Sequence, residues 1–99
     1  MSPREVELVV TAGLAAGARA PLPPGARLVL GRGDDAGLRL PDEGLSRHHA
    51  AVERGATGLV VTDLGSKNGT RLGGRPLAPH APTPAQDGDV LALGGHEVT

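Results

Sequence analysis

The stretch HAAVERGATGLVVTDL, residues 49–64, decides the fold class. Two runs rich in Ala, Val and Leu, HAAVER and GLVVTDL, are joined by Gly55-Ala56-Thr57, which is a β-hairpin of the common short-loop kind. Working downstream, GSKNGT (65–70) is a turn in which Asn68-Gly69 invites positive φ. TRLGGRPL (70–77) suggests two brief strands around Gly73-Gly74, and APHAPTPAQ (78–86) reads as a proline-rich connection. DGDVLALGG (87–95) and HEVT (96–99) then supply a turn and two closing strands. Upstream, RLVLGR (27–32) is a strong strand stopped by glycine, GDDAG (33–37) a turn, LRL (38–40) a short strand and PDEGLSRH (41–48) a loop. REVELVV (4–10) alternates before turning apolar, a fair first strand. TAGLAAGA (11–18) is a loop by its glycines at 13 and 17, and RAPLP (19–23) is a short edge strand, because proline cannot sit in a central one. Convincing helical periodicity is missing. Short strands at close spacing with turns between them mean a β-sandwich or barrel.

Composition narrows this further. Ninety-nine residues make one domain, and 16 glycines and nine prolines fit many turns between short strands. The chain has no Phe, Tyr, Trp or Ile, so Leu, Val and Ala must fill the core. Charge is balanced at a net −1, and with no aromatic ring there is no stacking platform for bases, so nucleic acid is not the expected partner. Cysteine is absent, which rules out a disulfide, a thiol nucleophile and a Cys-bearing zinc site. No apolar stretch is long enough to cross a membrane as a helix. VELVVTAGLAAGARA (6–20) ends like a signal-peptidase site, but Glu5 and Glu7 spoil a basic n-region, so a cytoplasmic location is expected. HEVT makes a short final strand, so the domain, taken as residues 1–99, is expected to belong to a longer chain.

Three chemistries compete for GLSRHHAAVE (44–53). Ser46 and His49 suit a nucleophile and its base, yet no Gly-x-Ser-x-Gly elbow surrounds the serine. His48 and His49 suit metal ligation, yet neighbours on a strand point to opposite faces. The third possibility is anion binding, and several loops agree with it. Arg32 follows a strong strand, Ser46-Arg47 lies in the next long loop, and Lys67-Asn68 lies in a third. Loops at one end of a sandwich cluster, and a phosphate ester wants a guanidinium fork, an ammonium and a hydroxyl donor. Lys67 is the only lysine beside nine arginines. GRGD (31–34) matches a cell-adhesion tripeptide and is a chance match. Gly31 and Gly33 are not phosphate-loop glycines, since no Gly-Lys-Ser/Thr follows.

Gly31-Arg32, Ser46-Arg47-His48-His49 and Asn68-Gly69 together resemble the forkhead-associated (FHA) domain family. DLGSKNGT (63–70) and DGDVLALG (87–94) strengthen the likeness, which covers roughly Val6 to the end. The resemblance implies an all-β fold: a twisted two-sheet antiparallel β-sandwich of the FHA/SMAD type, with binding loops clustered at one end. It implies a phosphothreonine-peptide-binding interaction module acting downstream of a Ser/Thr kinase, with no catalysis, no cofactor and no metal. The partner it implies is a phosphothreonine-containing protein or peptide, alongside other domains of the same chain. Carried over residue by residue, Arg32 pairs with the phosphate and Ser46 donates its hydroxyl to it. Arg47 adds a second cation or a backbone donor, Lys67 reaches the phosphate or its rim, and Asn68 bonds the peptide backbone. His49 braces the binding loops, with Gly31 and Gly69 as backbone residues. Arg39, Asp42 and Glu43 are candidates for selection at the third residue after the phosphothreonine, and His48 either is solvated or lines the groove. The alternative is a phosphate-independent scaffold of the same fold.

Overall fold

The computed structural model describes residues 7–9, 17, 19–40, 44–56, 58–86, 88–93 and 96–98, which form eleven strands and no helix. The loop expected over 11–18 falls almost wholly outside them, as do Asp42 and Glu43. The strands are β1 (Glu7–Val9), β2 (Arg19–Pro21), β3 (Arg27–Gly31), β4 (Leu38–Arg39), β5 (Ala50–Gly55), β6 (Gly58–Asp63), β7 (Thr70–Leu72), β8 (Arg75–Pro76), β9 (Thr83–Ala85), β10 (Leu91–Leu93) and β11 (His96–Val98). They make a five-stranded sheet in the order β4-β3-β5-β6-β9, a four-stranded sheet β11-β10-β7-β8, and a two-stranded ribbon β1-β2.

The β5–β6 hairpin is the backbone of the larger sheet. Its register runs unbroken from Ala50↔Asp63 to Gly55↔Gly58, so only Ala56 and Thr57 lie between the strands, one residue fewer than the sequence suggested. Every pairing between the strands is antiparallel except β3–β4, where Leu30↔Leu38 and Gly31↔Arg39 run parallel, and an isolated parallel bridge joins Asp63 to Pro79. A correction falls on 78–86. This proline-rich segment is not merely a connection, for Thr83–Ala85 adds to the sheet as β9, with Val60↔Pro84 at its centre. Proline lacks a ladder donor, and it is tolerated here because β9 is the edge strand.

One apolar cluster joins all three sheets. Leu8 and Ala20 come from the ribbon, Leu30, Leu38, Ala50, Val52 and Val61 from the five-stranded sheet, and Leu72, Leu91 and Leu93 from the four-stranded one. Leu22, Leu40 and Leu45 fill it from the connections. Nothing in the core is larger than leucine. Each fully buried Leu contributes about 1.5–3 kcal/mol through burial, so stability comes from many small contributions. Alternation assigns the faces: Thr70 and Leu72 of β7 point inward while Arg71 points out, and Ala92 of β10 points out between Leu91 and Leu93.

The sheet register also builds the loop end. Leu30 pairs with Ala50, and Ala50 pairs with Asp63. The β3–β4 loop (32–37), the segment entering β5 (44–49) and the β6–β7 loop (64–69) therefore leave the sheet from one row.

Candidate functional site

The first two loops are laced together backbone to backbone. Arg32 N–H donates to the Ser46 carbonyl at 3.0 Å and Gly33 N–H to the Arg47 carbonyl at 3.1 Å, while Leu40 N–H donates to Gly31 at 2.8 Å. This approach leaves no room for a side chain at 31, where a β-carbon would run into the carbonyls of both Arg47 and Ser46. Gly31→Ala is therefore expected to lower stability by about 2 kcal/mol or more, since the obstacle is backbone rather than a movable side chain. Thermal melting checks it, and an unchanged midpoint would mean that the two loops are not held this close.

Arg32 is exposed, and its Nε donates to the Leu45 carbonyl at 3.1 Å, which anchors the guanidinium one residue from Ser46. The Ser46 hydroxyl oxygen accepts the backbone N–H of Lys67 at 3.0 Å, so its own proton remains to be donated elsewhere. Asn68 Nδ2 donates across to the Gly44 carbonyl at 2.7 Å. Arg32, Ser46, Lys67 and Asn68 thus come together on three loops. Arg47 joins them through its carbonyl, and its side chain, like that of Lys67, is exposed. Among the described residues no carboxylate forms an ion pair with Arg32, Arg47 or Lys67.

His49 is fully buried and bolts these loops to one another. Its Nδ1 accepts the Ser46 backbone N–H at 3.2 Å and its Nε2 donates to the Gly69 carbonyl at 2.7 Å, a pair of partners that requires the neutral Nε2–H tautomer. Its own N–H donates to Leu30, and its carbonyl accepts from Leu64. Both ring nitrogens are occupied by backbone groups, so His49 does not act on the Ser46 hydroxyl, and the arrangement is not that of a nucleophile and its base. His48 faces elsewhere, with Nε2 2.9 Å from Asp35 Oδ1. The two histidines do not converge on a metal.

The β6–β7 loop is shaped by Asp63, a residue that was not among the sequence candidates. It is 1% exposed and its carboxylate takes four hydrogen bonds. Oδ1 accepts from the hydroxyls of Ser66 (2.5 Å) and Thr70 (2.6 Å), and Oδ2 accepts from the backbone N–H groups of Gly65 and Ser66 (both 3.1 Å). Burial pushes its pKa up, but the bonds from Ser66, Thr70 and Gly65 outweigh it and hold the carboxyl below the ordinary Asp range. Gly65 and Gly69 take φ of 78° and 83°, values that glycine tolerates and that let the loop turn twice around the carboxylate. The signal was present in DLGS, since Asp bonding the N–H groups two and three residues on is the usual Asx-turn habit.

Acidic residues of the β3–β4 loop tie down the rim. Asp34 pairs with Arg39 Nε at 3.3 Å, and the same Nε donates to the Arg32 carbonyl at 3.3 Å. The bond from His48 is the main reason the Asp35 carboxyl sits below its ordinary range.

Fold and site define a small β-sandwich module whose loop end presents cations, a serine hydroxyl and an amide. A family model described as the FHA domain matches residues 28–94, and the chain belongs to this family. It is 40% identical over 70 residues, 71% of its length, to the FHA domain-containing protein FhaA of Mycobacterium tuberculosis. It spans 13% of FhaA, and between 19% and 42% of FHA domain-containing proteins from Arabidopsis thaliana and Mycolicibacterium smegmatis. Among solved structures it matches one described under phosphothreonine-dependent FHA domain interactions, at 35% identity and a TM-score of 0.82, covering 96% of this chain and 93% of that one. It also matches the FhaA FHA domain complexed with the intracellular domain of Rv3910, at 34% identity and a TM-score of 0.78, covering 93% and 94%.

Proposed function

We propose that this domain is a phosphothreonine-peptide reader, an interaction module acting downstream of a Ser/Thr kinase. The observation that carries the proposal is the Ser46 hydroxyl, whose oxygen accepts the Lys67 N–H and whose own proton is left to donate, one residue from the Leu45 carbonyl that anchors the exposed Arg32 side chain. Arg47 and Lys67 are exposed on the same loops and form no close ion pair among the described residues, although Arg47 lies near enough to Asp35 to help hold its carboxyl below the ordinary range. A phosphate ester carries about −1.5 to −2 charges and three acceptor oxygens, which these groups satisfy. Asn68 would exchange its bond to the Gly44 carbonyl for the ligand backbone, fixing register. Relatives studied for phosphothreonine-dependent interactions support the same ligand. The role asks for no catalysis. It is the phospho-motif mode of peptide recognition by basic clusters, so affinity should fall with added salt.

Titration of a labelled degenerate phosphothreonine peptide library, read by fluorescence polarisation, tests this; the label is needed because the chain has no Trp or Tyr. Saturable binding should require the phosphate. Arg32→Ala should weaken it by roughly ten- to 150-fold, the equivalent of about 1.5–3 kcal/mol for a hydrogen bond to a charged group. Binding that ignores both the phosphate and Arg32 would instead assign the domain to phosphate-independent assembly.

A further inference from the structure

Beside Asn68 the exposed face of the four-stranded sheet is hollow. A groove of about 470 Å³ is lined by Asn68, Gly69, Thr70, Arg71, Pro76, Leu77 and Ala92. Its shape follows from the strands. Arg71 and Ala92 are directly paired on the outward face, and Arg71 is flanked on its other side by Pro76. Ala92, the smallest side chain with a β-carbon, leaves the space that a larger residue would fill. The lining combines apolar Pro76, Leu77 and Ala92 with polar Asn68 and Thr70 and carries one charge, Arg71, which is exposed and has no ion-pair partner among the described residues. Asn68 belongs both to this groove and to the loop site, so the two are continuous.

We infer that the groove receives the flanking segment of the phosphothreonine partner, and that Arg71 selects an acidic residue in it. This rests on the phosphopeptide reading above. Asn68 and Arg71 line the same groove, and an extended ligand covers about 10 Å in three residues. An extended ligand held at Asn68 therefore reaches Arg71 within a few residues. Pro76, Leu77 and Ala92 supply apolar contact on the way, and the guanidinium supplies the complement to a carboxylate. Arg71 is a specificity residue in this account, since the phosphate itself is held by the loops.

The experiment is a positional scan. A labelled phosphothreonine peptide in an alanine background carries one Asp, moved through five positions on each side of the phosphoresidue. It is titrated into the wild-type domain and into Arg71→Ala, Arg71→Glu and Arg32→Ala. Arg71 lies outside the core, so its variants should melt with wild type. One position is expected where Asp tightens binding about three- to fivefold over Ala, the gain typical of an exposed ion pair. Arg71→Ala should erase that preference, and Arg71→Glu should invert it so that Lys at the same position is favoured. Binding that depends on Arg32 but whose Asp preference is unaltered by either Arg71 variant overturns the groove assignment alone. If no phosphopeptide binds the wild-type domain, the phosphopeptide reading falls, and the groove assignment with it.

Discussion

Asp63→Ala is expected to destabilise the domain by about 3 kcal/mol or more, enough to leave a fold of this size marginal. The substitution strips partners from two hydroxyls and two backbone N–H groups at once. Thr70, one of the hydroxyl donors, is itself buried at 1% exposure and cannot turn to water without moving β7. Each buried donor left unmet costs about 1–3 kcal/mol. The same carboxylate gives the fold an acid sensitivity of predictable sign. Its pKa is lower in the folded chain than the ordinary Asp value of about 3.9. The stabilisation is therefore fully present above that ordinary value and is lost as pH falls below it toward the lower folded one. Urea unfolding between neutral pH and about pH 3 should show the loss, and Asp63→Asn should remove this part of the pH dependence. Wild-type stability at neutral pH in Asp63→Ala would mean that the four bonds do not hold the loop.

His49→Ala is expected to act on fold and binding together. It opens a cavity at a fully buried site and orphans the Ser46 N–H and the Gly69 carbonyl, at a combined cost of about 3–4 kcal/mol. Under the proposed function, the molecules that remain folded should also lose peptide affinity, because the Ser46 loop and the Asn68-Gly69 loop no longer share a brace. Chemical denaturation measures the first effect, and low-temperature titration of the folded fraction measures the second. A loss of stability under 1 kcal/mol would mean that the ring is not the link between the loops. Weaker binding with unchanged stability would place His49 on the ligand instead.

Much of the fold was legible because its signals are local. Gly55 and Gly58 bracket the central hairpin, and Asn68-Gly69 turns the chain where the glycine takes a φ of 83°. Proline misled the reading of 78–86, because a residue that excludes a central strand does not exclude an edge, and nothing local says that Thr83–Ala85 lies beside β6. Among the site groups, Arg32, Ser46, Lys67 and Asn68 were visible as chemistry standing in three separate loops. Asp63 was not, although its turn pattern was present, because a carboxylate after a strand is ordinarily a solvated charge.

What the sequence determined by itself was the alternation of strands and turns, the content of a leucine and valine core, and the order of the loops that carry charge. What only the tertiary structure decided was which groups satisfy one another: His49 with Gly69, 20 residues away, Asn68 with Gly44, 24 away, and the hollow that Ala92 leaves beside Arg71. Turn and strand preferences are set by a residue and its immediate neighbours. A buried hydrogen bond or a groove depends on sheet register, which exists only once the apolar faces have closed on a common core.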